Sequence, residues 1–177
     1  MNGSGRPAAF RLALRLLWKQ ALAWTGVLGV GAVAITQGYQ NAYPSLQSRM
    51  IIAAQIGANP AFQALNGKAV NLDTLGGFVA WRYGGPVVVI VAIWGLLAAT
   101  KLLRGEEETG HGELVLGGRL RPTMLLAADL AALGLVFAVA WAVSGAALVG
   151  GGVQAAGAFL VAMQVVLGAV TFAAIGA

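Results

Sequence analysis

The stretch "MLLAADLAALGLVFAVAWAVSGAALVG", residues 124–150, carries a single charged residue, Asp129. A helix needs about 20 apolar residues to cross a hydrocarbon core of about 30 Å, because its backbone polar groups must be paired within the segment. The stretch is long enough to span and to tilt. After the corner Gly150-Gly151-Gly152, residues 153–176 form a second apolar stretch. The sequence therefore predicts two spans, 124–150 and 153–176, joined as a tight helical hairpin.

The rest of the chain has the same character. Hydrophobic residues make up 59% of the chain and charged residues 10%, with a mean hydropathy of +0.80. These values are typical of an integral membrane protein. Two further apolar stretches, residues 21–40 and 84–103, are long enough to cross a bilayer. The predicted fold class is an all-α polytopic transmembrane helical bundle with four spans.

Residues 1–20 have one apolar and one basic helical face. The apolar face carries Phe10, Leu14 and Leu17. Basic residues recur on another face, namely Arg11, Arg15 and Lys19. The pattern predicts an N-terminal amphipathic helix at the membrane interface, and a signal peptide is the alternative.

Lysine and arginine are most frequent in the N-terminal flank and in residues 101–121. The positive-inside rule then places both termini and the loop 104–123 in the cytoplasm of a cell (plasma) membrane protein, and the loop 41–83 outside. The basic residues stand in ones and twos at the edges of apolar stretches. This placement favours lipid headgroups as their partners, so we expect a lipid bilayer and no nucleic acid.

The loop 41–83 is too long for a simple connection, and its pattern predicts helices. Leu46, Met50 and Ala54 fall on one helical face. Asn59-Pro60 is typical of an N-cap and first residue of a second helix, closed by Asn66-Gly67. Asp73 is a candidate cap for a third element, and Trp81 and Tyr83 are expected at a headgroup interface.

Four of the six acidic residues of the chain lie within eight positions, at Glu106, Glu107, Glu108 and Glu113. With His111 they are the only candidates for a metal or hydrolytic site. Gly110 and Gly112 weaken a rigid helix there, and no second acidic or histidine cluster completes a ligand shell. The segment is therefore either a solvated loop or a charged surface that docks a soluble partner.

Sequence motifs for chemistry are absent from the chain. It contains no phosphate-binding loop, no nucleophile elbow and no dinucleotide turn, and it has no cysteine. We therefore expect no enzyme activity, no catalytic residue, no metal and no bound cofactor. Uphill transport by this chain would draw its energy from another protein.

Two segments resemble one known family. "RGEEETGHGELVLGGRLRP", residues 104–122, is similar to the first cytoplasmic loop of ABC-2-type permeases of the polyketide-antibiotic exporter kind. The matching positions are Arg104, Glu106, Glu107, Glu108, Gly110, Glu113, Leu114, Arg119 and Arg121. Residues 58–85 resemble the external loop of the same family, through Asn59-Pro60-Ala61, Ala64-Leu65, Gly67, Asp73-Thr74, Gly76-Gly77 and Ala80-Trp81-Arg82.

The resemblance covers essentially the whole chain and corresponds to the N-terminal third of a family member. It implies a permease subunit, without its own ATPase, of an ATP-driven exporter of antibiotic-like or amphipathic compounds. Its partners would be a nucleotide-binding subunit that carries ATP and the remaining permease half or a second copy. The coupling residues toward that ATPase would be Arg104, Glu106, Glu107, Glu108, Gly110, Glu113 and Leu114. His111-Gly112 departs from the family pattern.

Asp129 is the acidic residue inside a span, about 9 Å of helix rise from its start. It is a candidate intramembrane polar site, and the alternative is that it snorkels to the headgroups or pairs with Arg121. Ser144, Gln154 and Gln164 are expected to join helices by hydrogen bonds. If Asp129 is functional without an ATPase, the chain would instead be a small ion or proton conduit, and an accessory scaffold is a further alternative.

Overall fold

The chain is all-α. The computed structural model describes residues 5–108 and 122–176, and no strand occurs in these two ranges. The helices in chain order are α1 (Gly5–Ala42), α2 (Leu46–Gly57), α3 (Pro60–Asn66), α4 (Leu75–Val79), a π-helical turn (Ala80–Gly84), α5 (Gly85–Glu108), α6 (Pro122–Gly150) and α7 (Ala155–Gly176).

Four helical stretches are long and apolar enough to cross a membrane, as the sequence predicts. They are Pro7–Ala42, Leu75–Leu103, Thr123–Gly150 and Ala155–Gly176. The predicted interfacial helix and first span form one helix, α1, because nothing between Gly5 and Ala42 interrupts the helical hydrogen bonding. The second stretch begins at Leu75, nine residues before the predicted position 84, because α4 and the π-helical turn run directly into α5.

The four long helices form two parallel pairs. α1 packs on α6, and α5 packs on α7, along most of their lengths, while the α6–α7 hairpin joins the pairs. Gly29 lies against Val143 and Thr36 against Gly151, so residue numbers rise together along α1 and α6. Although α1 and α5 follow one another as spans, their backbones approach at only a few positions. The bundle is therefore closed on three sides and loosely joined on the fourth.

Close approach of α5 to α7 depends on glycine. A Cβ atom on Gly95 would fall on the carbonyl group of Ala169. A Cβ atom on Gly168 would lie 2.9 Å from a methyl group of Val88. Helices in a bilayer gain no hydrophobic energy by associating, so small residues that allow backbone contact supply much of their packing energy. The glycines thus bring the backbones of α5 and α7 into direct contact.

The hairpin between α6 and α7 is tight, which confirms the predicted corner. Gly152 has a φ of 95°, and Val153 N–H donates to the carbonyl of Leu148 over 3.1 Å. The amide of Gln40 donates to the carbonyl of Gly151 over 2.7 Å. The corner is thereby fixed to the C-terminal end of α1.

The connecting segment, residues 43–74, contains two of the predicted short helices. Asn59 caps α3, accepting hydrogen bonds from Ala61 and Phe62, with Pro60 at the first position, as the sequence predicts. Thr74, rather than Asp73, caps α4, because its hydroxyl accepts a hydrogen bond from Gly77 N–H over 3.1 Å.

Aromatic residues at the ends of the long helices hold the connecting segment. The hydroxyl of Tyr39 donates to the carbonyl of Leu72 over 2.8 Å, and the indole of Trp81 donates to the carbonyl of Gly67 over 3.2 Å. By contrast, α2 contains no buried residue. The segment is thus fixed near its C-terminal end, while α2 leaves its apolar residues exposed.

Candidate functional site

The acidic segment begins on α5. The helix continues beyond the apolar stretch, which ends at Leu103, as far as Glu108. Backbone positions Arg104, Glu106 and Glu107 are therefore part of the same helix as the span. A helix transmits displacement along its axis, so a force applied to this end reaches the bundle directly.

The remaining residues of the predicted coupling segment, Gly110, Glu113 and Leu114, lie outside the described residues. The metal candidate His111, the resembling position Arg119 and the possible Asp129 partner Arg121 lie outside them as well. In residues 5–108 and 122–176, no group of three His, Asp or Glu side chains is placed to hold a metal ion.

Asp129 lies inside the bundle. It is the eighth residue of α6 and is 8% exposed, between the buried residues Ala128 and Ala132. Asp129 has an interaction with another group of the protein. A carboxylate on a lipid-facing surface costs about 2.5 to 3.5 kcal/mol at the centre of a span, so intramembrane acids usually face the bundle interior. Burial of Asp129 inside the bundle is compatible both with an intramembrane polar site and with a carboxylate held by an ion pair, so its role stays a prediction.

An apolar cleft lies between α6 and α7. Its volume is about 390 Å³, and its walls include Leu133, Phe137, Trp141, Met163 and Val166. Asp129 is not part of these walls. The cleft is suited to the hydrophobic part of an amphipathic molecule.

Tyr83 is the centre of a buried polar contact that sequence analysis missed. Its hydroxyl donates to the carbonyl of Leu28 over 2.9 Å and lies 3.0 Å from the hydroxyl of Ser144. Tyr83 is only 4% exposed, so the prediction that it lies among the headgroups is wrong: it finds its polar partners inside the protein. The ring lies against Gly31, which leaves room for it on α1.

The position of Tyr83 depends on the π-helical turn, which joins α4 to α5. Such turns are rare and occur frequently at functional sites. A π turn has no strong sequence signature, so this contact was not predictable. The prediction that Ser144 joins helices is confirmed, because its contact with Tyr83 connects α6 to the start of α5.

These features lie at separate places. The acidic segment continues α5 at one end of the bundle, and Asp129, on α6, is buried inside the bundle. Tyr83 joins three elements farther along the bundle. The arrangement offers a helical extension, an apolar cleft and an internal carboxylate, but the described residues form no nucleophile–base pair. Comparison with models of protein families, with curated proteins and with solved structures gives no match for this chain.

Proposed function

We propose that the chain is the membrane-spanning permease subunit of an ATP-driven ABC exporter of antibiotic-like or amphipathic compounds. The observation that carries the proposal is the joining of the acidic segment to α5 as one helix. A surface that docks an ATPase must pass its displacement to the spans, and an uninterrupted helix does so. The resemblance of residues 104–122 and 58–85 to this permease family supports the same function.

The packing suggests how motion would spread. α5 is closely packed on α7 through Gly95 and Gly168, whereas it meets α1 at few positions. Displacement of the acidic end would therefore carry α5 and α7 together relative to α1 and α6. The interface that must then slide is the one between α6 and α7, which holds the apolar cleft. ATP would be bound by the partner subunit, with no cofactor on this chain.

Substrate recognition would take place in that cleft. Phe137 and Trp141 give the cleft an aromatic wall, and such walls suit planar or ring-containing apolar groups. The walls of the cleft carry no charged side chain, so a charged group of the compound would have to remain outside it. In this proposal, the exported compound has an apolar body and a polar end.

The assembly would contain further membrane protein. Lipid-facing apolar residues are numerous on α1, including Leu22, Val27 and Val30, each at least 60% exposed. These residues are compatible with lipid and with another apolar helix. The proposed partners are the ATPase subunit, the bilayer, and the remaining permease half or a second copy.

Charge reversal tests the coupling surface. We expect the triple variant Glu106→Lys, Glu107→Lys and Glu108→Lys to insert normally but to lose association with its ATPase, because docking depends on the sign of these charges. The measurement is co-purification with the ATPase, together with substrate-stimulated ATP hydrolysis. Lys68→Glu, an exposed substitution in the connecting segment, is the control. Undiminished association and stimulation in the triple variant would overturn the coupling role.

The buried carboxylate favours a second candidate, an ion or proton conduit that works without nucleotide. The observation behind it is the 8% exposure of Asp129 within α6. Asp129→Asn removes the titratable group while keeping the size of the side chain. Proton or ion flux into vesicles that contain only this chain, lost in Asp129→Asn, would favour the conduit. Absence of flux in the unsubstituted protein would exclude it.

A further inference from the structure

The loosely joined side of the bundle contains a groove between α1 and α5. Its volume is about 590 Å³. Its α5 wall consists of residues spaced three or four apart on one helical face: Ile90, Ile93, Trp94, Leu97, Thr100 and Lys101. Gln20 and Trp24 form the α1 wall. The groove runs from Ile90, in the first third of α5, to Lys101, toward the end of the bundle at which α1 begins.

The groove has aromatic rings at its base and exposed apolar side chains along one side. The rings of Trp24 and Trp94 stack with 5.4 Å between their centroids, and Phe137 meets Trp94 edge-on at 5.5 Å. Ile93 and Leu97 remain 53% and 61% exposed. These residues do not close on α1. They leave a groove with apolar walls between the two helices.

The charge at one end of the groove points to its occupant. Lys101 is exposed and lines this end together with Gln20. The lining residues include one cation and no carboxylate. An occupant with an apolar chain and a terminal negative charge would match both the walls and this end.

We propose that this groove binds one anionic phospholipid. Its phosphate would lie at Lys101 and Gln20, and one acyl chain would lie along Ile93 and Leu97. Ile93 and Leu97 stand eight and four residues before Lys101, about 12 Å and 6 Å along the helix, where the acyl chain of a lipid held at Lys101 would run. The lipid would join α1 to α5 where protein contacts are few, and this role does not depend on an ATPase or on transport.

The test compares lipids that differ only in headgroup. The full-length chain, purified in detergent, is titrated with phosphatidylglycerol or with phosphatidylcholine of the same acyl chains, and bound lipid is counted by native mass spectrometry. We expect one phosphatidylglycerol to bind about fivefold more tightly than phosphatidylcholine, the preference that one basic residue gives near a membrane surface. Equal binding of the two lipids to the unsubstituted protein would overturn the proposal.

Substitutions locate the site. Lys101→Gln should abolish the preference, lowering phosphatidylglycerol binding to the level of phosphatidylcholine. Lys68→Gln, in the connecting segment, is the matched control and should leave the preference unchanged. Retention of the preference in Lys101→Gln, or an equal loss in Lys68→Gln, would show that the attraction is spread over the surface and would refute this site.

Discussion

Helix α5 has one closed side and one open side. Toward α7 its backbone comes into contact with another backbone at Gly95, and no side chain separates the two helices there. Toward α1 the separation is filled by the stacked rings of Trp24 and Trp94, with a groove beside them. Apolar burial contributes little to helix association in a bilayer. The difference between the two sides of α5 therefore shows that the size of the contacting residues decides which helices pack closely. Four substitutions test this contrast.

The largest effect is expected at the closed side. Gly95→Ala would drive a Cβ atom into the carbonyl of Ala169, which has no rotamer to escape, so the helices must separate. Overpacking of this kind costs about 1 to 3 kcal/mol, and we expect the upper end. The measurement is the free energy of unfolding in detergent micelles. Gly134→Ala is the control: a Cβ there meets nothing within 4 Å, so no loss is expected.

A somewhat smaller loss is expected at the hairpin corner. Gly151→Ala places a methyl group on the buried side chain of Thr36, which is short and held by a hydrogen bond to the carbonyl of Ala32 over 3.0 Å. We expect about 1 to 2 kcal/mol, because a side chain yields more readily than a backbone. Gly38→Ala, at a helical position with open space, is the comparison. Equal unfolding free energies for the two variants would contradict the close contact.

At the open side, Trp24→Leu should have a milder effect. The substitution removes the ring stack with Trp94, which is worth about 0.5 to 1.5 kcal/mol beyond area burial. Trp18→Leu serves as the matched variant, since Trp18 is 51% exposed and lies on the same helix. If Trp24→Leu destabilised the chain as much as Gly95→Ala, the two sides of α5 would not differ as proposed.

The smallest effect concerns the polar contact of Tyr83. Tyr83→Phe removes the hydroxyl that donates to Leu28 and touches Ser144, and hydrogen bonds between membrane helices average about 0.6 kcal/mol. A double-mutant cycle with Ser144→Ala measures the interaction free energy between the two hydroxyl groups. A coupling energy of zero would mean that the two hydroxyls do not interact in the folded protein.

The fold was largely predictable, since a span is recognised from length and apolar composition alone. The hairpin corner and the Asn59-Pro60 helix start were also predictable, because their signals are local. The pairing of the long helices was not predictable, because the helix that contacts Gly95 is decided by contacts between residues far apart in sequence. The continuity of α1 was missed because the basic face of residues 1–20 is also compatible with a separate helix.

The candidate site was less predictable than the fold. Asp129 stands out because a carboxylate is rare in a span; the structure buries it inside the bundle, and its role stays a prediction. Tyr83 did not stand out, because an aromatic residue near the end of a span is ordinarily taken for an interfacial one. The groove between α1 and α5 is also invisible in the sequence, because its walls come from separate helices and consist mostly of ordinary apolar residues.

The π-helical turn at Ala80–Gly84 also sets the rotational phase of what precedes it. A π turn holds one more residue than an α turn, so removal of one residue there would restore regular α geometry. Each residue of an α-helix corresponds to about 100° of rotation. Shortening the turn by one residue would therefore swing Phe78 away from Tyr39, whose ring centroid is now 4.6 Å distant. The extra residue in the π turn thus sets the direction in which α4 presents Phe78 relative to α5, although the two helices are continuous.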